Sequence, residues 1–99
     1  MVVEIGNVYS FKMNSGEEIL GKVTKIKDNV YIVDSPLGTG MSQQGVQLMP
    51  AMFTTEIDSE IIVTMDSVAM IGTPRQDVVD AYRESTTGIQ VPDKQILLS

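Results

Sequence analysis

Lys12, Lys22, Lys25 and Lys27 put four of the seven positive charges into one short stretch, while acids gather later, at Glu56, Asp58, Glu60, Asp77, Asp80 and Glu84. A row of lysines on a strand pair can neutralise phosphates, and it can equally be the solvated half of alternating strands. The overall balance, 13 acids against seven bases and a net charge of −6, opposes non-specific binding to nucleic acid. Glu56, Asp58 and Glu60 alternate and would share one strand face. They lack the glycine turn and ligand count of a calcium loop, so a solvated acidic edge without metal is expected. There is no cysteine and no histidine, which excludes disulfides, zinc sites of the Cys/His kind, cysteine nucleophiles and Ser-His-Asp triads. The remaining carboxylates, lysines, serines and tyrosines form no motif that sets an acid against a base, so neither an enzyme nor a cofactor is expected.

The lysines ride on residues 8–33, VYSFKMNSGEEILGKVTKIKDNVYIV. Tyr9, Phe11 and Met13 alternate with Ser10, Lys12 and Asn14, the period of two that puts apolar residues on one face of a half-buried strand. Asn14, Ser15 and Gly16 suit a hairpin turn. The next strand, residues 18–27, carries Gly21 where a side chain is expected, which marks a bend or bulge and suggests a curled barrel. A second turn at Lys27, Asp28 and Asn29 leads to a third strand, residues 30–34, with Val30 and Ile32 on one face and Tyr31 and Val33 on the other. Ser35, Pro36, Leu37, Gly38, Thr39 and Gly40 then break regular structure.

Residues 41–59 are harder to read, because Pro50 removes a ladder donor and argues for an edge strand or an ordered loop. Met41, Met49, Met52 and Phe53 suit either an adaptable partner-binding surface or core filler under a long connection. Residues 60–65 and 68–72 supply a fourth and a fifth strand, apolar on both faces through Ile61, Ile62, Val63, Val68, Ala69, Met70 and Ile71. Such strands need cover on both sides, and a neighbouring subunit would supply it. A capping box of Thr73, Pro74 and Gln76 predicts a helix over 74–85, with Val78, Val79 and Tyr82 as its apolar stripe and Gly88 as its stop. The tail, 89–99, ends in Ile96, Leu97 and Leu98 and is expected to dock on its own domain or on a neighbour. Residues 1–99 read as one domain, with the barrel over about 8–72. No apolar run approaches a membrane span and residues 1–10 lack a secretory signal, so a cytoplasmic protein with no membrane partner is expected.

Five short strands, the second bent, with a C-terminal helix, describe a mainly β chain folded as a bent small barrel of the SH3 or Sm type. The run MNSGEEILGKVTKIKDNVYIV resembles the first motif of the Sm-like (LSm) family: an apolar residue, a turn ending in Gly16, a second glycine at Gly21, then apolar residues at Val23, Ile26, Val30, Ile32 and Val33. VTMDSVAMI resembles the second motif through Val63, Val68 and Ile71. In detail the chain looks like the short Sm-like proteins encoded by marine cyanophages, a likeness spanning about residues 8–72. It implies a homo-oligomeric ring of five to seven subunits, in host cytoplasm if phage-encoded, with the fourth strand of one subunit paired to the fifth of the next. Ile61, Ile62, Val63, Val68 and Met70 would then form the subunit interface.

The same resemblance implies an RNA pocket built from two turns, at Lys27, Asp28, Asn29 and Tyr31 and at Thr64, Met65 and Asp66. Here the chain departs from the family. Lys27 and Tyr31 stand where an aspartate and a base-reading asparagine are usual, although a shifted alignment brings in Asp28 and Asn29. Thr64 and Met65 replace an Arg-Gly pair. In this arrangement Tyr31 would stack a base and Lys27 neutralise a phosphate, or Tyr31 would simply fill the barrel. The family's N-terminal helix has little room before Val8. Two functions are therefore expected of the ring: non-catalytic binding of single-stranded RNA in processing or regulation of phage or host transcripts, or a structural or adaptor role with a protein partner.

Overall fold

The computed structural model describes residues 2–56, 58–87 and 96–98, the last three through their backbone alone. In chain order the elements are β1 (Val8–Met13), β2 (Glu18–Lys27), β3 (Val30–Ser42), β4 (Gly45–Pro50), β5 (Glu60–Thr64), a 3₁₀ turn (Met65–Ser67), β6 (Val68–Gly72), α1 (Gln76–Thr86) and β7 (Ile96–Leu98). The strands form one antiparallel sheet of seven in the order β6-β1-β2-β3-β4-β7, with β5 added to β3. The described residues are thus mainly β, a small barrel-like sheet with one α-helix. No helix among the described residues is long and apolar enough to cross a membrane.

The alternation in β1 has the predicted outcome. Tyr9 and Phe11 are buried together, with Met13 packed against them, and Gly16 closes the β1–β2 hairpin at a positive φ of 101°, donating its N–H to the Met13 carbonyl at 2.9 Å. In β2 the expected bend falls at Gly21. Lys22 pairs with Asp34 but Leu20 pairs with Leu37, so β3 carries one extra residue at this point. That bulge reverses which way β3 faces. Before it, Val33 joins Tyr9, Phe11, Ile19, Val23 and Val63 inside the barrel. After it, Leu37 joins Val8, Leu20 and Leu48 on the opposite face, where Val78, Ala81 and Tyr82 of α1 cover them.

Two prolines that argued against regular structure are accommodated here. Pro36 lies in the bulge, beside buried Ser35 at φ 49°, where a missing N–H removes no ladder bond. Pro50 is the last residue of β4, paired with Leu37. The expected break at residues 35–40 and the edge strand or loop expected after it are therefore corrected to a long β3 and a β3–β4 hairpin, and the five expected strands become seven. The N-cap is corrected as well. The helix starts two residues later than predicted, with Arg75 as N-cap in extended conformation. No Thr73 capping box forms the start; the Asp77 carboxylate accepts the Val78 N–H at 2.9 Å. Gly88 lies outside the described residues. From the tail, Ile96–Leu98 pairs with β4 of the same chain. Residues 4–7 make a turn rather than a helix or strand, with Gly6 at φ 97° and its N–H on the Val23 carbonyl at 2.7 Å.

α1 is locked onto the sheet at the bulge. The Tyr82 hydroxyl donates to the Asp34 carbonyl at 2.6 Å and accepts the Lys22 N–H at 3.2 Å. Burial, with a smaller contribution from the Asp34 charge, pushes this phenol up to about 12, against the partial relief of the Lys22 N–H. Ionisation is thus harder in the folded state than in the unfolded one. The resulting stability is whole below pH 10 and is lost as pH rises from 10 towards about 12. Tyr82→Phe should cost roughly 1 kcal/mol at neutral pH by removing the phenol partner of two partly buried backbone groups. It should also flatten the alkaline fall in stability over that window, measured by urea unfolding at stepped pH; an unchanged alkaline profile would contradict the assignment. A Cβ at Gly21 would collide with the Val33 side chain, so Gly21→Ala should lower stability by roughly 1–3 kcal/mol or more through overpacking, read from the urea midpoint.

Candidate functional site

The two turns singled out in the sequence meet at one corner of the sheet. Lys27 pairs with Val30, leaving Asp28 and Asn29 as a two-residue hairpin loop. β5 runs along the start of β3, Val30 opposite Thr64 and Tyr31 opposite Val63. The Asn29 carbonyl accepts the Met65 N–H at 2.7 Å, so the loop and the 3₁₀ turn are tied backbone to backbone. The far side of the 3₁₀ turn is held by Asn14, whose side-chain amide donates to the Asp66 carbonyl at 2.7 Å and whose N–H donates to the Ser67 carbonyl at 2.8 Å. Within the turn, the Thr64 hydroxyl donates to Ser67 Oγ at 3.0 Å, and that oxygen donates to the Thr64 carbonyl at 2.7 Å. The corner is held by backbone bonds together with the side chains of Asn14, Thr64 and Ser67.

Those side chains differ in availability. Lys27, Asp28, Asn29, Thr64 and Asp66 are exposed, and the lysine makes no ion pair among the described residues, where the ion pair present is Arg75 with Asp77. One cation therefore shares the corner with two carboxylates. Tyr31 is half-buried and rests on Phe11, ring centroids 5.7 Å apart at 54°, a tilted aromatic contact of the core-filling kind. Beside it opens a shallow cleft of about 450 Å³, lined by Val3, Tyr31, Met65, Val68, Ala69 and Ile71, whose exposed surface is more polar than apolar. Met65 is one of its walls.

The proposed interface residues divide in the same way. Val63 is buried in the chain's own core, and Val68 packs against that core. Ile62 and Met70 are 64% and 63% exposed; they sit on the outward faces of β5 and β6, Ile62 opposite Ile32 and Met70 opposite Lys12. Ile61 is half-buried opposite Val33. Among the described residues β5 pairs only with β3 and β6 only with β1, so each keeps one open edge.

The acidic row Glu56, Asp58 and Glu60 is exposed, and Glu60 accepts a hydrogen bond from the Thr24 hydroxyl at 3.1 Å. Among the described residues no group of three acidic side chains is placed to hold a metal ion. Sequence reasoning missed Asn14 as a clamp, because an asparagine ahead of Ser-Gly reads simply as a turn former. It also missed Val3 and Ala69 as cleft walls, for which spacing carries no signal. The chain matches no protein-family model and no curated protein.

Asp28 occupies the left-handed region at φ 52°, where a side chain other than Gly, Asn or Asp costs roughly 1–2 kcal/mol. Asp28→Ala should therefore destabilise the chain by about 1 kcal/mol, while Asp28→Asn leaves the denaturation midpoint nearly unchanged. Equal midpoints for the two variants would show that the turn does not hold this backbone.

Proposed function

We propose that the chain is an Sm-like ring protein without catalytic activity, and that single-stranded RNA binds where its two turns meet. The observation that carries the reading is the Met65 to Asn29 backbone bond, which joins residues from distant parts of the sequence into one exposed corner. Lys27 would neutralise a phosphate there, Asn29 and Thr64 would offer hydrogen bonds, and a base would enter the shallow cleft beside Tyr31. A single such corner, with one lysine against Asp28 and Asp66, binds weakly. A ring repeats it once per subunit, and the effective concentration of linked sites raises avidity even though each site stays as it is.

Support for the ring comes from how the sheet edges are treated. The end of β2 beyond its pairing with β1 carries exposed Lys25 and Lys27, the charged residues that keep an open edge in water. β5 and β6, each with an open edge, instead carry exposed Ile62 and Met70 on their outward faces. Pairing the β5 edge of one copy with the β6 edge of the next, through a rotation that closes, removes both. A second reading keeps the ring but gives it a protein partner, and the exposure of Met41 and Phe53 favours it.

Light scattering on the purified chain should give a mass of five to seven subunits, reduced by Ile62→Glu or Met70→Glu. Labelled oligo(U) and oligo(A) should bind more weakly at high salt than at low, and Lys27→Ala should lower the salt slope by about 0.7 for each phosphate the lysine had neutralised. Tyr31→Ala is no test of binding because it also empties part of the core. A monomer would refute the ring; a ring with no affinity at low salt, or affinity indifferent to Lys27→Ala, would refute the RNA site and leave the second reading.

A further inference from the structure

On the side of β4 away from β3 the sheet would end in a bare strand edge, and the chain lays part of its own tail on it. β7 runs antiparallel to β4, with Leu98 opposite Val46, Leu97 opposite Gln47 and Ile96 opposite Leu48, and it also approaches α1. Behind this edge, Leu48 is buried in the cluster under α1 and Val46 packs against the same cluster. The β4 edge is thus a site whose fitting occupant is known, an extended apolar segment in antiparallel register beside Val46 to Leu48. The segment is lightly held. β7 pairs over three positions with one neighbour, fewer than any other strand of the sheet.

We infer that the β4 edge accepts the β7 strand of a second copy, and that two molecules exchange these strands, each laying its β7 on the β4 of the other. The occupant follows from identity. A second copy brings the same three residues to the same register, so exchange loses no pairing that β7 makes within one chain. Freeing β7 unpairs one short strand at the end of the sheet order while β1 to β6 stay paired, a local opening that costs far less than unfolding. What opposes exchange is the lost freedom of two copies held together, so concentration decides between closed single chains and exchanged pairs. The open edges of β5 and β6 take no part, and the inference stands with or without the ring.

The chain holds no cysteine, so introduced thiols read the register directly. Directly opposite residues of an antiparallel pair, with Cα atoms about 4.5–5.5 Å apart, stand within disulfide reach. Full-length Gln47→Cys, isotopically heavy, is mixed at high concentration with light full-length Leu97→Cys and then oxidised. Disulfide-linked pairs of mixed mass should form in several-fold excess over those from Gln47→Cys mixed with Ser15→Cys, a position in the exposed β1–β2 turn. Excess wild type added before oxidation should suppress them. The neighbouring opposite positions, Val46→Cys mixed with Leu98→Cys, should give the same excess, which keeps the test decisive where Gln47→Cys disturbs its strand. With Gln47→Cys and Leu97→Cys in one chain at low concentration, the disulfide should close within that chain. Closure within one chain but no excess of mixed pairs at either set of positions would show that β7 stays with its own β4 and overturn the inference. Absence of both would overturn it as well.

Discussion

The bulge where β3 passes Gly21 is the constraint on which the rest of the fold depends. A single extra residue there lets Val33 and Leu37, which would otherwise point the same way, serve opposite faces of the sheet. The absent side chain at Gly21 gives Val33 its space, and the left-handed conformation of Ser35 turns the chain. Tyr82 then bonds both strands at that point, Lys22 on β2 and Asp34 on β3. Remove the bulge, and Leu37 would face the barrel interior while α1 would be left without the apolar floor it covers.

The bulge also divides the labour along β3. Its first half takes β5 as neighbour and its second half takes β4, so one edge of one strand supports two different structures. The first half builds the corner of the two turns and delivers β5 to the surface with its outer edge bare. The second half builds the uncharged hairpin, whose Leu48 is held in the cluster under α1. α1 supplies the cover that the opposite face of β1 to β4 needs. It leaves Ile62 and Met70 uncovered, and the double cover inferred from their apolar sequence is thus met by this chain only on their inward side.

Much of the sheet was legible because its signals are local. Alternation gave β1, Gly16 gave the hairpin, and Gly21 gave the bend, each through a conformational or packing rule acting over a few residues. The β3–β4 hairpin was not legible, since prolines report only that a ladder donor is missing. They do not report that a bulge or a strand end has no use for one. The capping box misled for a similar reason: Thr73 and Gln76 have the right spacing, but the chain stays extended through Arg75, and Asp77 serves the first turn instead. For the site, the residue types were readable and their meeting was not. The bond between Asn29 and Met65, residues more than 30 positions apart, depends on β5 pairing with β3.

Charge limits how any assembly of this chain can be built. At −6 per copy, repulsion grows with every subunit added, and an interface lasts only where apolar burial is not opposed by facing acids. β6 has no charged residue and β5 has only Glu60, at its first position. The hairpin has none. By contrast the outer side of α1 shows Asp77, Asp80 and Glu84, and the approach to β5 shows Glu56 and Asp58. Charge is therefore unevenly spread over the described residues, with exposed Lys25 and Lys27 at the end of β2 next to the first of the two turns. An anionic ligand at that corner would have to rely on Lys27 against Asp28 and Asp66, which makes the number of corners brought together, more than the chemistry of any single one, the quantity that decides whether it binds.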